Sequence, residues 1–379
     1  MTQYRKIKAI ISGGGTGGHI FPALSIANKL KELNPETEIL FVGAEGRMEM
    51  EKVPAAGYEI VGLPITGLQR RLDLSNFALP FKILKSIRMA RKLLKEFKPD
   101  IAIGVGGYAS APLLWVAGRL GIPTLIQEQN GFAGLTNKIV AKKAKKICVA
   151  YEGMERFFPA DRIIISGNPI RKEIVPPTPQ MKEEGYKFYG LNPEKKHLFI
   201  VGGSLGSGTL NKSVRKWIEE GKPGGENLEV IWQCGKYYKK DVDAFMAEME
   251  NKKEGSTKDI WYSDFIQRMD LAYAVADVVV SRSGASSVSE LCAANKATIF
   301  VPSPNVAEDH QTHNAMALVR KDAGMIVKDI EAPEKLLSTA CELLGNPERI
   351  ETLEKNIALL AKTDAAMTIA KEVYTAIGK

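Results

Sequence analysis

Through the first half of the chain, short apolar runs alternate with longer stretches whose apolar residues recur at helical spacing. The runs at 9–11, 39–42, 101–105, 124–126, 146–149 and 163–165 read as strands buried on both faces, since they lack strict alternation. Strand and helix in turn predict a parallel sheet covered on both sides. Residues 169–195 break this rhythm, with Pro169, Pro176, Pro177 and Pro179 near their start, and mark a passage between domains. A second alternation follows, with strands at 197–201, 229–233, 260–262, 278–280, 298–300 and 325–327. Helices at about 333–345 and 347–378 close the chain. The pattern predicts two α/β domains, each built on a parallel sheet.

Both halves open with the same move, a strand into a glycine loop into a helix. In the first half the loop is Gly13-Gly14-Gly15-Thr16-Gly17-Gly18-His19, and Ala23, Leu24, Ile26, Ala27 and Leu30 follow at helical spacing. So many glycines let the backbone turn sharply and approach a ligand closely. A helix N-terminus behind such a loop offers N–H groups and a positive dipole end to an anion. His19 is the only nearby side chain able to exchange a proton near neutral pH. The plainer alternative is a tight turn for close strand–helix packing. A dinucleotide site would want an acid at the end of the second strand. Here that strand runs into Gly43-Ala44, and Glu45 falls too late, which weakens a nicotinamide reading.

In the second half, strand 197–201 enters Gly202-Gly203-Ser204-Leu205-Gly206-Ser207-Gly208, and a helix follows at 210–218. A further strand, 278–280, leads through Ser281-Arg282-Ser283-Gly284 into Ala285, Ser286, Ser287, Val288, Ser289 and Glu290. Free N–H groups at 285–287 suit a diphosphate, and Glu290, a turn later, suits a ribose diol. Ser287 and Glu290 equally spell a capping box.

Composition narrows this picture. A chain of 379 residues with 45% hydrophobic content suits two or three globular domains. Four scattered cysteines without a CxxC pair fit a reducing compartment and argue against a zinc ribbon. The run at 9–11 is too short for a signal segment, and no stretch is long enough to span a membrane. The net charge of +8 suits nucleic acid, anionic lipid or a phosphorylated substrate; without a recognisable binding motif, nucleic acid is the weakest. Leu72, Leu74, Phe77, Leu79, Pro80, Phe81, Ile83 and Leu84, with Lys82, Lys85, Arg88, Arg91, Lys92 and Lys95, form an amphipathic basic segment. It suits an anionic membrane surface or, more plainly, a core-facing helix with a solvated lysine face. Lys138, Lys142, Lys143, Lys145 and Lys146 add a second basic cluster. Asp241-Val242-Asp243 has a metal-site spelling but falls in a helix, where i and i+2 diverge. His310 and His313 lack an evident third ligand.

Six ordered motifs carry a family resemblance: 13–19, Gly104-Val105-Gly106-Gly107-Tyr108, Glu128-Gln129-Asn130-Gly131, Gly167-Asn168-Pro169-Ile170-Arg171, 202–206 and 281–290. Over nearly its whole length the chain resembles the MurG family, bacterial glycosyltransferases that make lipid II from lipid I. The resemblance implies a GT-B architecture, two Rossmann-like domains with parallel sheets facing across a cleft, and no cofactor or bound metal. Residues 1–168 would form the acceptor and membrane domain and 169–362 the donor domain, with the terminal helix, about 363–379, packing back on the first. UDP-N-acetylglucosamine would contact Thr16, Gly17, Gly18, Asn130, Arg171, Ser204, Ile266 (through its backbone), residues 285–289, Glu290 and Gln311. The acceptor, undecaprenyl-pyrophosphoryl-MurNAc-pentapeptide, would face Gly14, Gly15, His19 and Tyr108. His19 is the first choice of general base and Glu128 the second. The resemblance also implies peripheral attachment at the cytoplasmic face of the plasma membrane and, among partners, a cell-wall synthesis complex. Rival readings are another glycolipid synthase of this architecture, a UDP-sugar epimerase and a non-catalytic nucleotide-sugar binder.

Overall fold

The computed structural model describes residues 4–66, 79–203 and 205–378. The chain divides into two compact units, Met1–Ile170 with Lys362–Lys379, and Arg171–Ala361.

The first unit holds seven parallel strands: β1 Lys8–Ser12, β2 Glu38–Ala44, β3 Glu59–Leu63, β4 Ile101–Gly104, β5 Thr124–Glu128, β6 Lys146–Val149 and β7 Ile163–Ile165. Their order across the sheet is β3-β2-β1-β4-β5-β6-β7. Ile10 of β1 pairs with Leu40 on one side and Ala102 on the other. Both faces of these central strands are covered, which is why they read as continuous apolar runs. Strand β3 was not expected. Its residues Glu-Ile-Val-Gly-Leu include only one fully buried position, Leu63, and it is a strand because it lies along Leu40–Ala44 of β2. An edge strand owes its pairing to its neighbour more than to its own pattern.

The second unit repeats the design with β8 Lys196–Val201, β9 Leu228–Gln233, β10 Ile260–Ser263, β11 Val278–Ser281, β12 Thr298–Phe300 and β13 Met325–Ile326. The order is β10-β9-β8-β11-β12-β13, again all parallel. In each sheet the strand order reverses at one place, between β1 and β4 and between β8 and β11. Open α/β sheets bind ligands outside the carboxyl ends of the strands at that reversal. Both glycine loops leave β1 and β8 there.

The closing helix expected at 347–378 is two helices, Pro347–Ala358 and Ala365–Ala376. The break falls where the chain leaves the second unit and joins the first. Ile369, Ala370, Val373 and Tyr374 are then buried with Ile7, Ala9, Ile26 and Cys148. Tyr374 donates its hydroxyl to Arg5 O at 3.2 Å, and Glu372 pairs with Lys146 at 3.0 Å.

Candidate active site

In the first unit, β1 ends at Ser12 and the helix Gly17–Leu33 begins after the loop. Thr16 is the N-cap residue but makes no side-chain cap; its hydroxyl oxygen lies 3.2 Å from His19 Nδ1. The same nitrogen is 3.1 Å from Gly14 O. A carbonyl can only accept, so in this contact Nδ1 is the donor, and in the neutral ring Nε2 is then the basic nitrogen. That is the tautomer a general base needs. The ring rests on Gly106, where a Cβ would lie 2.6 Å from His19 Cδ2 and 2.8 Å from Nε2. Gly106 also has a φ of 97°, so the position demands glycine twice. Ser110 Oγ donates to Ser12 O at 2.9 Å and Gly106 O at 2.8 Å, tying the two loops together. Tyr108, beside this glycine pair, is exposed.

Glu128, at the end of β5, is buried. Its Oε2 accepts from Gly134 N at 3.0 Å and Asn137 Nδ2 at 2.9 Å, and its Oε1 from Asn130 N at 3.1 Å. Both oxygens thus hold the 130–137 loop in shape. Two further polar residues of this region carry no role in the sequence reading: Gln127 lies beyond the strand end expected at 126, and Gln129 stands only within the 128–131 motif. Gln127 Nε2 donates to Asn168 Oδ1 at 2.9 Å, and Gln129 Nε2 donates to Val105 O at 2.7 Å. Gln129 therefore anchors the residue before Gly106. Nothing in their spacing marks them, because their partners are far along the chain.

In the second unit, Arg171 and Glu290 form a two-pronged pair, Nε to Oε1 at 2.8 Å and Nη2 to Oε2 at 2.7 Å. Tyr273, buried beside Glu290, has its phenol pushed far above the usual value by burial and then by that carboxylate, so it stays a donor. The helix Ala285–Ala293 has Gly284 as N-cap, with no side-chain cap. The capping-box alternative is thereby set aside: Ser287 lies inside the first turn and Glu290 faces Arg171. Ser289 Oγ turns back to Ala285 O at 3.0 Å. Gln311 Oε1 accepts from Ser303 N at 2.9 Å, so its amide nitrogen is the end able to donate to a ligand. Ile266 N donates to Gln233 Oε1 at 2.9 Å, which leaves its carbonyl for a base. Ser204 lies outside the described residues. The flanking loop is set by Arg282, whose Nη2 donates to Ser207 Oγ at 2.6 Å and which also pairs with Asp329.

The family model for the glycosyltransferase family 28 N-terminal domain matches residues 9–149, and that for its C-terminal domain matches 197–369. The chain belongs to glycosyltransferase family 28. Within it, a relative from Parabacteroides distasonis is 54% identical over 99% of this chain and 100% of its own length. That relative is named UDP-N-acetylglucosamine--N-acetylmuramyl-(pentapeptide) pyrophosphoryl-undecaprenol N-acetylglucosamine transferase. One of the same name from Phocaeicola vulgatus is 54% identical over 97% of this chain and 96% of its own. The crystal structure of MurG from Acinetobacter baumannii is similar with a TM-score of 0.77 and 27% identity, covering 98% of this chain and 100% of that one. The motif resemblance and the GT-B class are borne out together.

Asp241 and Asp243 lie on the helix Lys239–Lys252, where Asp243 accepts from Tyr262 Oη at 2.9 Å and pairs with Lys239. Among the described residues, no group of three or more His, Cys, Asp or Glu could hold a metal ion, His310 and His313 included. No helix among them is long and apolar enough to cross a membrane.

The amphipathic segment falls partly outside the described residues, at Leu72, Leu74 and Phe77. The rest is the helix Leu79–Phe97, which buries Ser86, Ala90 and Leu94 and leaves Phe81, Ile83 and Leu84 exposed. Trp115, Leu135 and Ile139 are exposed on neighbouring helices, Ser110–Arg119 and Leu135–Val140. The second basic cluster is smaller than its spelling: Lys138 lies over the Phe132 and Phe157 rings and Lys146 pairs with Glu372.

Proposed function

We propose that the chain transfers N-acetylglucosamine from UDP-N-acetylglucosamine to the C4 hydroxyl of the N-acetylmuramoyl unit of lipid I, forming lipid II. The observation carrying this reading is the 54% identity over 99% of the chain to a transferase named for those substrates. The reaction is a single displacement. The acceptor hydroxyl oxygen bonds to the anomeric carbon, the bond from that carbon to the UDP oxygen breaks, and the configuration inverts.

His19 takes the hydroxyl proton on Nε2, the nitrogen that its Gly14 contact leaves with a lone pair. Glu128 accepts three or more hydrogen bonds from its own loop, which favours a positioning role over that of base. The acceptor is assigned to the first unit, with its pyrophosphate near Gly14, Gly15 and the start of the helix Gly17–Leu33 and its sugar near Tyr108. The donor is assigned to the second unit. Its uracil N–H meets the Ile266 carbonyl, and its ribose hydroxyls donate to the remaining lone pairs of Glu290. Its diphosphate lies over the first turn of the helix Ala285–Ala293, with Ser286, Ser287, Val288 and Ser289, and Gln311 meets the sugar. Thr16, Gly17, Gly18, Asn130 and Ser204 complete the donor contacts. Negative charge on departing UDP is met by that helix terminus and by Arg171.

The exposed apolar residues Phe81, Ile83, Leu84, Leu135 and Ile139, interleaved with Lys82, Lys85, Lys142 and Lys143, support peripheral binding at the cytoplasmic membrane face. Work within a cell-wall synthesis complex belongs to the same reading.

The test is transfer of labelled N-acetylglucosamine from UDP to a short-chain lipid I analogue. Transfer is expected, and it should survive removal of metals by EDTA. Folded, UDP-binding protein that transfers nothing would overturn the reading, and product formed from the donor alone would favour an epimerase. A Phe81→Glu/Leu84→Glu variant should lose binding to anionic vesicles while still using a water-soluble acceptor.

A further inference from the structure

Glu49 is 1% exposed, and both of its carboxylate oxygens accept backbone N–H groups. Oε2 accepts from Gly15 at 2.8 Å, in the glycine loop, and Oε1 accepts from Ala44 at 3.0 Å, at the end of β2. A Cβ on Gly14 would collide with this carboxylate, and one on Gly43 would lie 2.5 Å from Glu49 Cγ. The loop, the strand end and the acid are therefore fitted to one another. In sheets that hold a dinucleotide, an acid at this strand end binds a ribose. Here the acid arrives from the helix Glu49–Ala55 and is occupied by the protein's own backbone.

We infer that Glu49 is a positioning residue for the transfer reaction, holding Gly14 and Gly15 so that Gly14 O keeps His19 in its base tautomer. This rests on the reading of His19 as the base. The connection is short: Glu49 fixes the Gly15 N–H, the adjoining Gly14 carbonyl accepts from His19 Nδ1, and Nε2 keeps its lone pair. The contact of Glu49 with Ala44 N also closes the end of β2 to a nucleotide.

Glu49→Gln keeps the size of the side chain but supplies one oxygen for two N–H groups, so one of them faces an NH2. With a soluble lipid I analogue, kcat/KM for the acceptor is expected to fall at least about tenfold, while KM for the donor and UDP affinity stay within about twofold. Gly43→Ala, which displaces the carboxylate without altering it, should give the same acceptor-side defect. In a His19→Ala background, Glu49→Gln should add no further loss, because it acts through His19. Wild-type acceptor kinetics in both single variants would overturn the inference. So would a parallel loss of donor binding, the mark of a general structural role, or a full additional loss in the His19→Ala background. Absence of transfer by the unaltered chain is a separate result, which overturns the proposed function and this inference with it.

Discussion

Gly106→Ala is the sharpest test of how the first unit places its imidazole. The new Cβ would lie 2.6 Å from His19 Cδ2, against the 3.4 Å at which ordinary contact begins. The ring must retreat by about 0.8 Å or rotate, and either change moves Nε2 away from the acceptor hydroxyl. Displacement of a reacting group by about 1 Å costs on the order of a hundredfold in rate, so kcat should fall by roughly that factor. The φ of 97° adds backbone strain of roughly 1–3 kcal/mol, visible as a melting temperature lowered by several degrees. The assay is transfer of labelled sugar to a soluble lipid I analogue at saturating substrates, with UDP affinity measured by calorimetry. UDP affinity should not change, because Ile266, Glu290 and the 285–289 turn, assigned to its uracil, ribose and diphosphate, lie in the other unit. A variant that folds, binds UDP and turns over at the wild-type kcat would refute the argument that Gly106 sets the ring.

Two further outcomes are expected. Glu290→Gln removes the charge that Arg171 grips with two hydrogen bonds, and UDP affinity should fall about tenfold or more by calorimetry; unchanged affinity would remove Glu290 from the donor site. Ile369→Ala empties a fully buried position between the terminal helix and the first sheet. It should cost about 2–5 kcal/mol in a denaturant titration, and an unchanged transition would show that this helix adds nothing to the unit's stability.

Much of the candidate site was legible because its parts are local. A glycine loop between an apolar run and a helix start is written in consecutive residues, and both such loops fall at the reversal points of their sheets. Buried parallel strands are legible for the same reason: each reads as apolar without reference to its partners. The edge strand β3 was missed because its few apolar residues acquire a strand conformation only beside β2. The apolar pattern by itself runs the closing helix unbroken over 347–378, because residues 359–364 carry no helix breaker, whereas the family resemblance sets a terminal helix apart at about 363–379; the chain crosses between units there.

Sequence alone determined the two α/β repeats, the two glycine loops, the family and the candidate base, since these depend on residue type and spacing along a few turns of chain. Tertiary structure decided which atoms of those residues remain for chemistry. It turned Glu290 toward Arg171 instead of into a capping box, and occupied both oxygens of Glu128 with the 130–137 loop. It put the proton of His19 on Nδ1 through Gly14 O, and brought Glu49 to the end of β2, where the strand's own residues supply no acid. Each of these outcomes is a hydrogen bond whose geometry no run of neighbouring residues encodes, and a buried polar group must find its partner wherever the fold delivers one.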